Sequence, residues 1–273
     1  MRAGIVELDA DHPGFNDANY RQRRNDIALL ARNHKIGEKP SRVTYIDSET
    51  STWRAVFREL NRLFPSHACQ EYLNGIALLD FNDEAIPQLA DIDEALFKRT
   101  GFRIWPVEGL VEPRDFFKAL SQRVFPATQY IRHHSVPHYT PEPDTIHDLL
   151  GHVPMLAIPE YADLTQKLGE GSLDANDDQI KQLARLYWYT IEFGLVRQNG
   201  ELRCYGAGCL SSFGEMTRAV RAEEPKVLRF DPEQARKMDY PITTYQPVLW
   251  EVCSIKEAFY LVAAYIERIK YEA

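Results

Sequence analysis

The stretch Tyr139-Thr140-Pro141-Glu142-Pro143-Asp144-Thr145-Ile146-His147-Asp148-Leu149-Leu150-Gly151-His152-Val153-Pro154 places two histidines five residues apart at what reads as a helix end. Asp144, directly after Pro143, is positioned to cap the start of that short helix. Five residues turn an α-helix by roughly 500°, which leaves the two imidazoles about 140° apart and unable to share one ligand from one regular face. Gly151 and Pro154 predict a way out: the helix stops at Gly151, and His152 turns back toward His147 as the chain leaves it.

A third group joins them from further along. Glu192 is the only charge between Leu186 and Val196, in the run Leu186-Tyr187-Trp188-Tyr189-Thr190-Ile191-Glu192-Phe193-Gly194-Leu195-Val196. Burying an unpaired carboxylate costs on the order of several kcal/mol, so Glu192 needs a cation or a metal. The nearest guanidinium groups, Arg185 and Arg197, flank the apolar run and do not lie within it. Two histidines at a helix end also occur as hydrogen-bonded scaffold, but with Glu192 the set becomes two imidazoles and one carboxylate. That set, free of thiolate, suits Fe(II) and leaves about three positions open on an octahedral ion. The zinc-protease signature differs: it needs His-Glu-x-x-His, whereas this run is one residue longer and carries Asp148 after the first histidine. Gly206-Ala207-Gly208 lacks a third glycine and a strand-to-helix setting, so no phosphate-cradling loop is read there.

The remaining chain predicts one soluble, mainly α domain over residues 1–273. Of its 273 residues 44% are hydrophobic and 26% charged, and the net charge of −8 argues against a nucleic-acid partner. Cys69, Cys204, Cys209 and Cys253 form no Cys-x-x-Cys pair, and with no leader signal they read as reduced thiols of a cytoplasmic protein. The longest strongly apolar stretch, Phe259 to Ile266, is too short to span a membrane. The basic cluster Arg21-Gln22-Arg23-Arg24 reads as a solvated or salt-bridged helix face.

Helices are expected around Val56, Phe57, Leu60, Leu63 and Phe64, and from Pro113 with Phe117, Leu120 and Val124 on one face. A further helix is expected with Asp91 and Glu94 as a capping box and Gly101 as its stop. Ile255, Phe259, Val262, Ile266 and Ile269 form a terminal stripe that reads as core packing. Strand signals are few: Val43 to Ile46, and a type I′ hairpin at Asn199-Gly200.

An ordered series of motifs then resembles one family, the pterin-dependent aromatic amino acid hydroxylases, over nearly the whole chain. Its pieces include Tyr20-Arg21-Gln22-Arg23-Arg24, His67-Ala68-Cys69, Pro87-Gln88-Leu89, Pro113-Arg114-Asp115-Phe116, Thr128-Gln129-Tyr130-Ile131-Arg132, the His147–Pro154 block and Gly206-Ala207-Gly208. The resemblance implies a helical basket with small strands and Fe(II) at its floor. It also implies a tetrahydropterin cofactor, O2 as cosubstrate, and an aromatic amino acid as the small-molecule substrate. It assigns the metal to His147, His152 and Glu192, and the substrate to Arg132 backed by Asp144, with Thr140, Pro143, Trp188, Phe193, Gly208 and Ser211. Phe116 would stack on the pterin, with Val107, Gly109, Leu110, Val111, Asp148, Ala184 and Tyr187 around it.

Departures refine the expectation. Animal members carry a regulatory domain before this region and a tetramerising helix after it; neither is expected here, so a monomer or dimer is expected. Pro126 stands where animal members have a histidine, as in short bacterial members, and Asp148 stands where they have glutamate. Trp188, Leu110 and Ile242 together fit a phenylalanine enzyme, and Phe193 and Gly208 fit para-hydroxylation. The expected reaction is therefore L-phenylalanine to L-tyrosine. Tryptophan 5-hydroxylation, meta-hydroxylation of phenylalanine, a zinc hydrolase and a non-catalytic aromatic amino acid binder are the alternatives.

Overall fold

The computed structural model describes residues 8, 10, 12–138, 140, 142–221 and 225–269. Its helices are α1 (Ala18–Arg32), α2 (Asp47–His67), α3 (Gln70–Leu79), α4 (Leu89–Thr100), α5 (Pro113–Ser121), α6 (Val153–Leu156) and α7 (Pro159–Gly171). They continue with α8 (Asp177–Tyr187), α9 (Ala207–Leu210), α10 (Phe213–Arg221), α11 (Pro232–Ala235) and α12 (Ile255–Ile269). Two π-helical segments, His147–His152 and Trp188–Glu192, run directly into α6 and out of α8. Short strands fill the gaps: β1 (Arg103–Pro106), β2 (Val124–Ala127), β3 (Gly194–Gln198), β4 (Glu201–Cys204), β5 (Lys226–Arg229) and β6 (Val248–Val252). The expected mainly helical class holds.

Helical periodicity maps directly onto burial. On α2, Trp53, Val56, Phe57, Leu60 and Phe64 face the core, as the i, i+3, i+4 spacing requires. Pro113 opens α5, where its missing N–H costs nothing. The α12 stripe packs inward against α7, where a Cβ on Gly171 would stand 2.8 Å from Ile266. The Asn199-Gly200 turn has φ of 53° and 84°, both positive as type I′ demands, and joins antiparallel β3 and β4 with Leu195 opposite Cys204.

Three local expectations are corrected. Val43 to Ile46 is not a strand: the Gln88 side-chain amide takes both the N–H and the C=O of Val43, at 2.9 and 3.1 Å, and leaves no ladder to form. Asp91 and Glu94 form no capping box, because α4 begins earlier at Leu89; Asp91 pairs with Arg42 and Glu94 with Lys98. Gly101 does stop that helix, at φ 76°. Val124 lies beyond α5, in β2.

The sequence reading missed most of the sheet. The four-stranded sheet runs in the order β4-β3-β6-β5, with β6 parallel to both β3 and β5, and β1 pairs in parallel with β2. These pieces matter for the site. The second π-segment feeds straight into β3, and β2 leads into the Thr128–Arg132 segment that faces His147–His152.

Candidate metal centre

The geometric problem posed by His147 and His152 is solved by a widened helical turn. From His147 to His152 the backbone is π-helical, closed by hydrogen bonds from residue i+5 to residue i; the Val153 N–H reaches the Asp148 carbonyl. Residues five apart then sit one above the other, as residues four apart do in an α-helix. The two Nε2 atoms lie 3.1 Å apart, with the rings crossed at 82°. The expected stop at Gly151 is therefore corrected: the helix runs through Gly151 and His152 into α6. Gly151 is needed for a different reason. A Cβ there would stand 2.8 Å from the Ala207 carbonyl oxygen and 2.9 Å from the Ala207 Cβ.

Glu192 arrives on the second π-segment, whose closing bond runs from the Phe193 N–H to the Trp188 carbonyl at 2.9 Å. Its carboxylate oxygens lie 3.1 Å from His152 Nε2 and 3.6 Å from His147 Nε2. All three donor atoms fall within 4.8 Å of one another, and among the described residues this is the one such group of three or more His, Cys, Asp or Glu side chains. The flanking guanidinium groups are engaged elsewhere: Arg185 pairs with Asp239 and Arg197 with Glu251.

Protonation fits a cation. The Ser211 hydroxyl donates to the Ala207 carbonyl at 2.8 Å, so toward His147 Nδ1, 2.9 Å away, it accepts. His147 thus carries its proton on Nδ1 and turns the Nε2 lone pair inward. Burial pushes the His147 pKa down to about 4, against the pull of Glu192. Burial also opposes the Glu192 charge, but the facing His152 and His147 imidazoles hold its pKa below the ordinary value. A neutral imidazole beside an anionic carboxylate is the state a divalent metal takes.

A cavity of about 110 Å³ opens beside the triad. Its far wall is the loop Val107, Gly109, Leu110 and Val111 with Phe116, whose ring meets Tyr187 edge-on at 5.2 Å. Asp148 closes one side and accepts from the Thr128 N–H and hydroxyl at 2.8 and 2.9 Å; burial still raises its pKa to about 7. Behind this side lies a buried fork. Arg132 Nε and Nη2 bind the two oxygens of Asp144 at 2.9 and 2.7 Å, and the same carboxylate caps the His147 N–H at 3.0 Å, the role expected of Asp144. Burial opposes the Asp144 charge, but the Arg132 charge together with the hydrogen bonds from Arg132 and the His147 N–H outweighs it and holds the Asp144 pKa below its ordinary value.

The model of the family described as biopterin-dependent aromatic amino acid hydroxylase matches residues 3–272 of this chain. The chain belongs to that family. It is 52% identical over 246 residues to the phenylalanine-4-hydroxylase of Caenorhabditis elegans, a match that covers 89% of this chain and 54% of that protein. It is 47% identical over 268 residues to the tyrosine 3-monooxygenase of Rattus norvegicus, covering 97% and 54%. The chain spans about half the length of these curated relatives. Among solved structures it resembles phenylalanine hydroxylase of Chromobacterium violaceum with bound iron(III) and 7,8-dihydrobiopterin, at TM-score 0.79 and 33% identity, covering 91% of this chain and 88% of that one. The enzyme of Colwellia psychrerythraea matches with TM-score 0.78 and 30% identity, over 86% and 94%. In length the family member at hand is like these bacterial structures, whereas the animal relatives share more of its residues.

The expected site residues divide into two groups. Val107, Gly109, Leu110, Val111, Phe116, Asp148 and Tyr187 border the cavity with the triad and Pro143; Ala184 does not. Arg132, Thr140, Trp188, Phe193, Gly208 and Ser211 lie off this cavity. Trp188 and Phe193 pack ring to ring at 4.8 Å, and Gly208 is what admits the Phe193 ring, since a Cβ there would come within 2.5 Å of it. The Thr140 hydroxyl is spent on the Glu142 carbonyl, and Ser211 touches His147. Tyr139 and Pro141 lie outside the described residues. Phe125, in the fully buried strand β2, and Thr128, just beyond it, were missed as cavity residues.

Proposed function

We propose that this chain is an iron- and tetrahydropterin-dependent monooxygenase that converts L-phenylalanine to L-tyrosine with O2. One observation carries the reading: two imidazoles and a carboxylate that, among the described residues, has no guanidinium partner converge at the edge of a cavity walled by Val107–Val111 and Phe116. His147, His152 and Glu192 would hold Fe(II). When bound, the iron and the reduced pterin together supply the activation of O2 for ring hydroxylation.

The chain's own residues do the rest. Phe116 and Tyr187 offer crossed aromatic faces for a flat heterocycle, and the backbone at Gly109 to Val111 lies beside them. Asp148 with Thr128 gives that wall a polar anchor. Ser211 keeps the His147 proton on Nδ1 and so keeps the donor lone pair aimed inward. Arg132, locked by Asp144 and with Nη1 also donating to the Pro137 carbonyl at 3.3 Å, would turn its remaining N–H groups to a substrate carboxylate, with Thr140 nearby in sequence. Trp188, Phe193, Pro143 and Gly208 form the wall for the substrate ring, and Ile242, two residues beyond the Tyr240 that stacks on Trp188, is apolar and exposed.

We further propose that residues 1–273 act as one catalytic domain, monomeric or dimeric, in the cytoplasm. Among the described residues no helix is long and apolar enough to cross a membrane. The purified chain with Fe(II), tetrahydrobiopterin, O2 and L-phenylalanine should yield tyrosine. Ring-position analysis on phenylalanine, tyrosine and tryptophan decides the substrate. Product from tyrosine alone would reassign the substrate, and no hydroxylated product from any of the three would end the proposal.

A further inference from the structure

The side chain of Gln246 is 2% exposed and has both ends of its amide occupied. Its oxygen accepts from the Trp188 indole N–H at 2.9 Å, and its nitrogen donates to the Pro241 carbonyl at 2.9 Å. Flipping the amide would set NH2 against N–H and oxygen against oxygen, so only one orientation is allowed. The backbone of Gln246 is fixed as well, because its N–H donates to the buried Glu215 carboxylate at 2.9 Å. The same loop supplies Tyr240, which stacks on the Trp188 indole at 4.1 Å and 9° from parallel. The Tyr189 hydroxyl ties the loop down a second time, at the Asp239 carbonyl. One face of the indole is therefore covered, its N–H is pinned, and its remaining ring neighbour is Phe193, tilted by 40°.

We infer that Gln246 is a positioning residue for substrate choice: by holding the Trp188 N–H it fixes the plane of the wall against which an aromatic substrate packs. This rests on the assignment of Trp188 to that wall. A glutamine suits the position because it accepts from the indole and donates to Pro241 at once, and of these two contacts it is the acceptor that holds the indole. An apolar residue of similar length leaves the indole N–H unheld, so the ring can tilt against Phe193 and shift the plane of the proposed wall. Indole-sized and phenyl-sized substrates then cease to be told apart.

The test compares the full chain, loaded with Fe(II) and tetrahydrobiopterin, as wild type, Gln246→Met, Gln246→Glu, Trp188→Phe and the Gln246→Met/Trp188→Phe double variant. One readout is the solvent exchange of the Trp188 indole N–H by NMR, its signal identified by its loss in Trp188→Phe. The other is the ratio, phenylalanine over tryptophan, of kcat/KM and of equilibrium affinity. Gln246→Met should speed the exchange at least about tenfold and lower both ratios by roughly tenfold, the size one displaced pocket contact gives. In the Trp188→Phe background the same change should move the ratios less than about twofold, because the pinned donor is already gone. Gln246→Glu keeps the indole's acceptor and should keep its protection. Should Gln246→Met fail to fold, loss of that protection in Gln246→Glu would by itself overturn the inference. Faster exchange with unchanged ratios, or unchanged exchange, also overturns it. Wild-type protein without turnover would refute the proposed reaction instead, and the affinity ratio would still decide the role of Gln246.

Discussion

Gly151→Ala tests whether close approach, not flexibility, is the reason for glycine in the first π-segment. The added Cβ would meet the Ala207 carbonyl oxygen at 2.8 Å, the Ala207 Cβ at 2.9 Å and the Ala207 Cα at 3.1 Å. Ordinary contact distances are about 3.5–4.0 Å, so the π-segment and the start of α9 must part by about half to one ångström. Two of the three contacts are backbone, and no side-chain rotation relieves them. Overpacking of this kind costs about 1–3 kcal/mol, and replacing glycine within a helix returns about 1 kcal/mol. The net loss of stability is therefore at most about 2 kcal/mol, a fall in Tm of some 2–4 °C per kcal/mol for a chain of this size. The effect on the metal should be larger. His152 follows Gly151 directly, and Ser211, which orients His147, donates to the same Ala207 carbonyl. A ligand set tolerates displacements of only about 0.5 Å. Iron affinity, measured by competition with a chromophoric chelator, should fall at least about tenfold while the protein stays folded. Ala207→Gly in the same background removes the 2.9 Å contact but not the 2.8 Å one, and should restore affinity in part. A Gly151→Ala protein that gains stability and binds iron as the wild type does would refute the reasoning.

Three further outcomes follow from the same geometry. Ser211→Ala removes the acceptor for His147 Nδ1 and should weaken iron binding about 10–100-fold in the chelator assay, with equal affinity counting against the tautomer assigned to His147. Burial raises the Glu215 pKa from 4.5 to about 6, although Arg218 and the Gln246 N–H pull it down. A raised acid favours folding below its unfolded pKa, and that contribution is lost as pH rises through the folded one. Glu215→Gln keeps the acceptor, so it should match wild type near pH 4.5 and exceed it by up to about 2 kcal/mol at pH 7.5 in urea unfolding; a gain confined to low pH would reverse the sign. Gly200→Ala meets no atom within 4 Å but holds φ at 84°, so its cost of about 1 kcal/mol, read from the urea midpoint, should be backbone strain alone.

Local patterns in the sequence carried far. The apolar spacing of α2 and α12, Pro113 at the start of α5 and Asn199-Gly200 at the hairpin tip each act within a few residues, and each is where the pattern placed it. Glu192 was legible because a lone charge in an apolar run must be answered, and Arg185 and Arg197 are indeed occupied elsewhere. What stayed hidden depends on partners far along the chain. Strands β5 and β6 are parallel neighbours joined by a long connection, which no turn signal announces. Val43 lost its strand to a side chain 45 residues away. Gln246, a single polar residue between Tyr245 and Pro247, carries nothing in one dimension to announce its burial between Trp188, Pro241 and Glu215.

The widened turns were the deepest omission, because a period of 3.6 cannot express them. Both end on a residue of the proposed metal site: the first on His152, the second on Glu192. An α-helical His147–His152 would aim the two rings apart, so the extra residue per turn is what makes a shared ligand possible. The two turns are brought together over Gly206-Ala207-Gly208. Gly206 lies against the Glu192 backbone, where a Cβ would come within 2.5 Å of its carbonyl, and Ala207 lies against Gly151. The glycine pair that fails as a phosphate loop is thus the spacer that sets the distance between the two turns. The second turn also opens on Trp188 and closes through the Phe193 N–H. The proposed ring wall and one side of the proposed metal triad therefore belong to one turn of backbone. A substitution that unwinds this turn should lose iron and substrate discrimination together, whereas one that frees only the indole should lose discrimination and keep the iron.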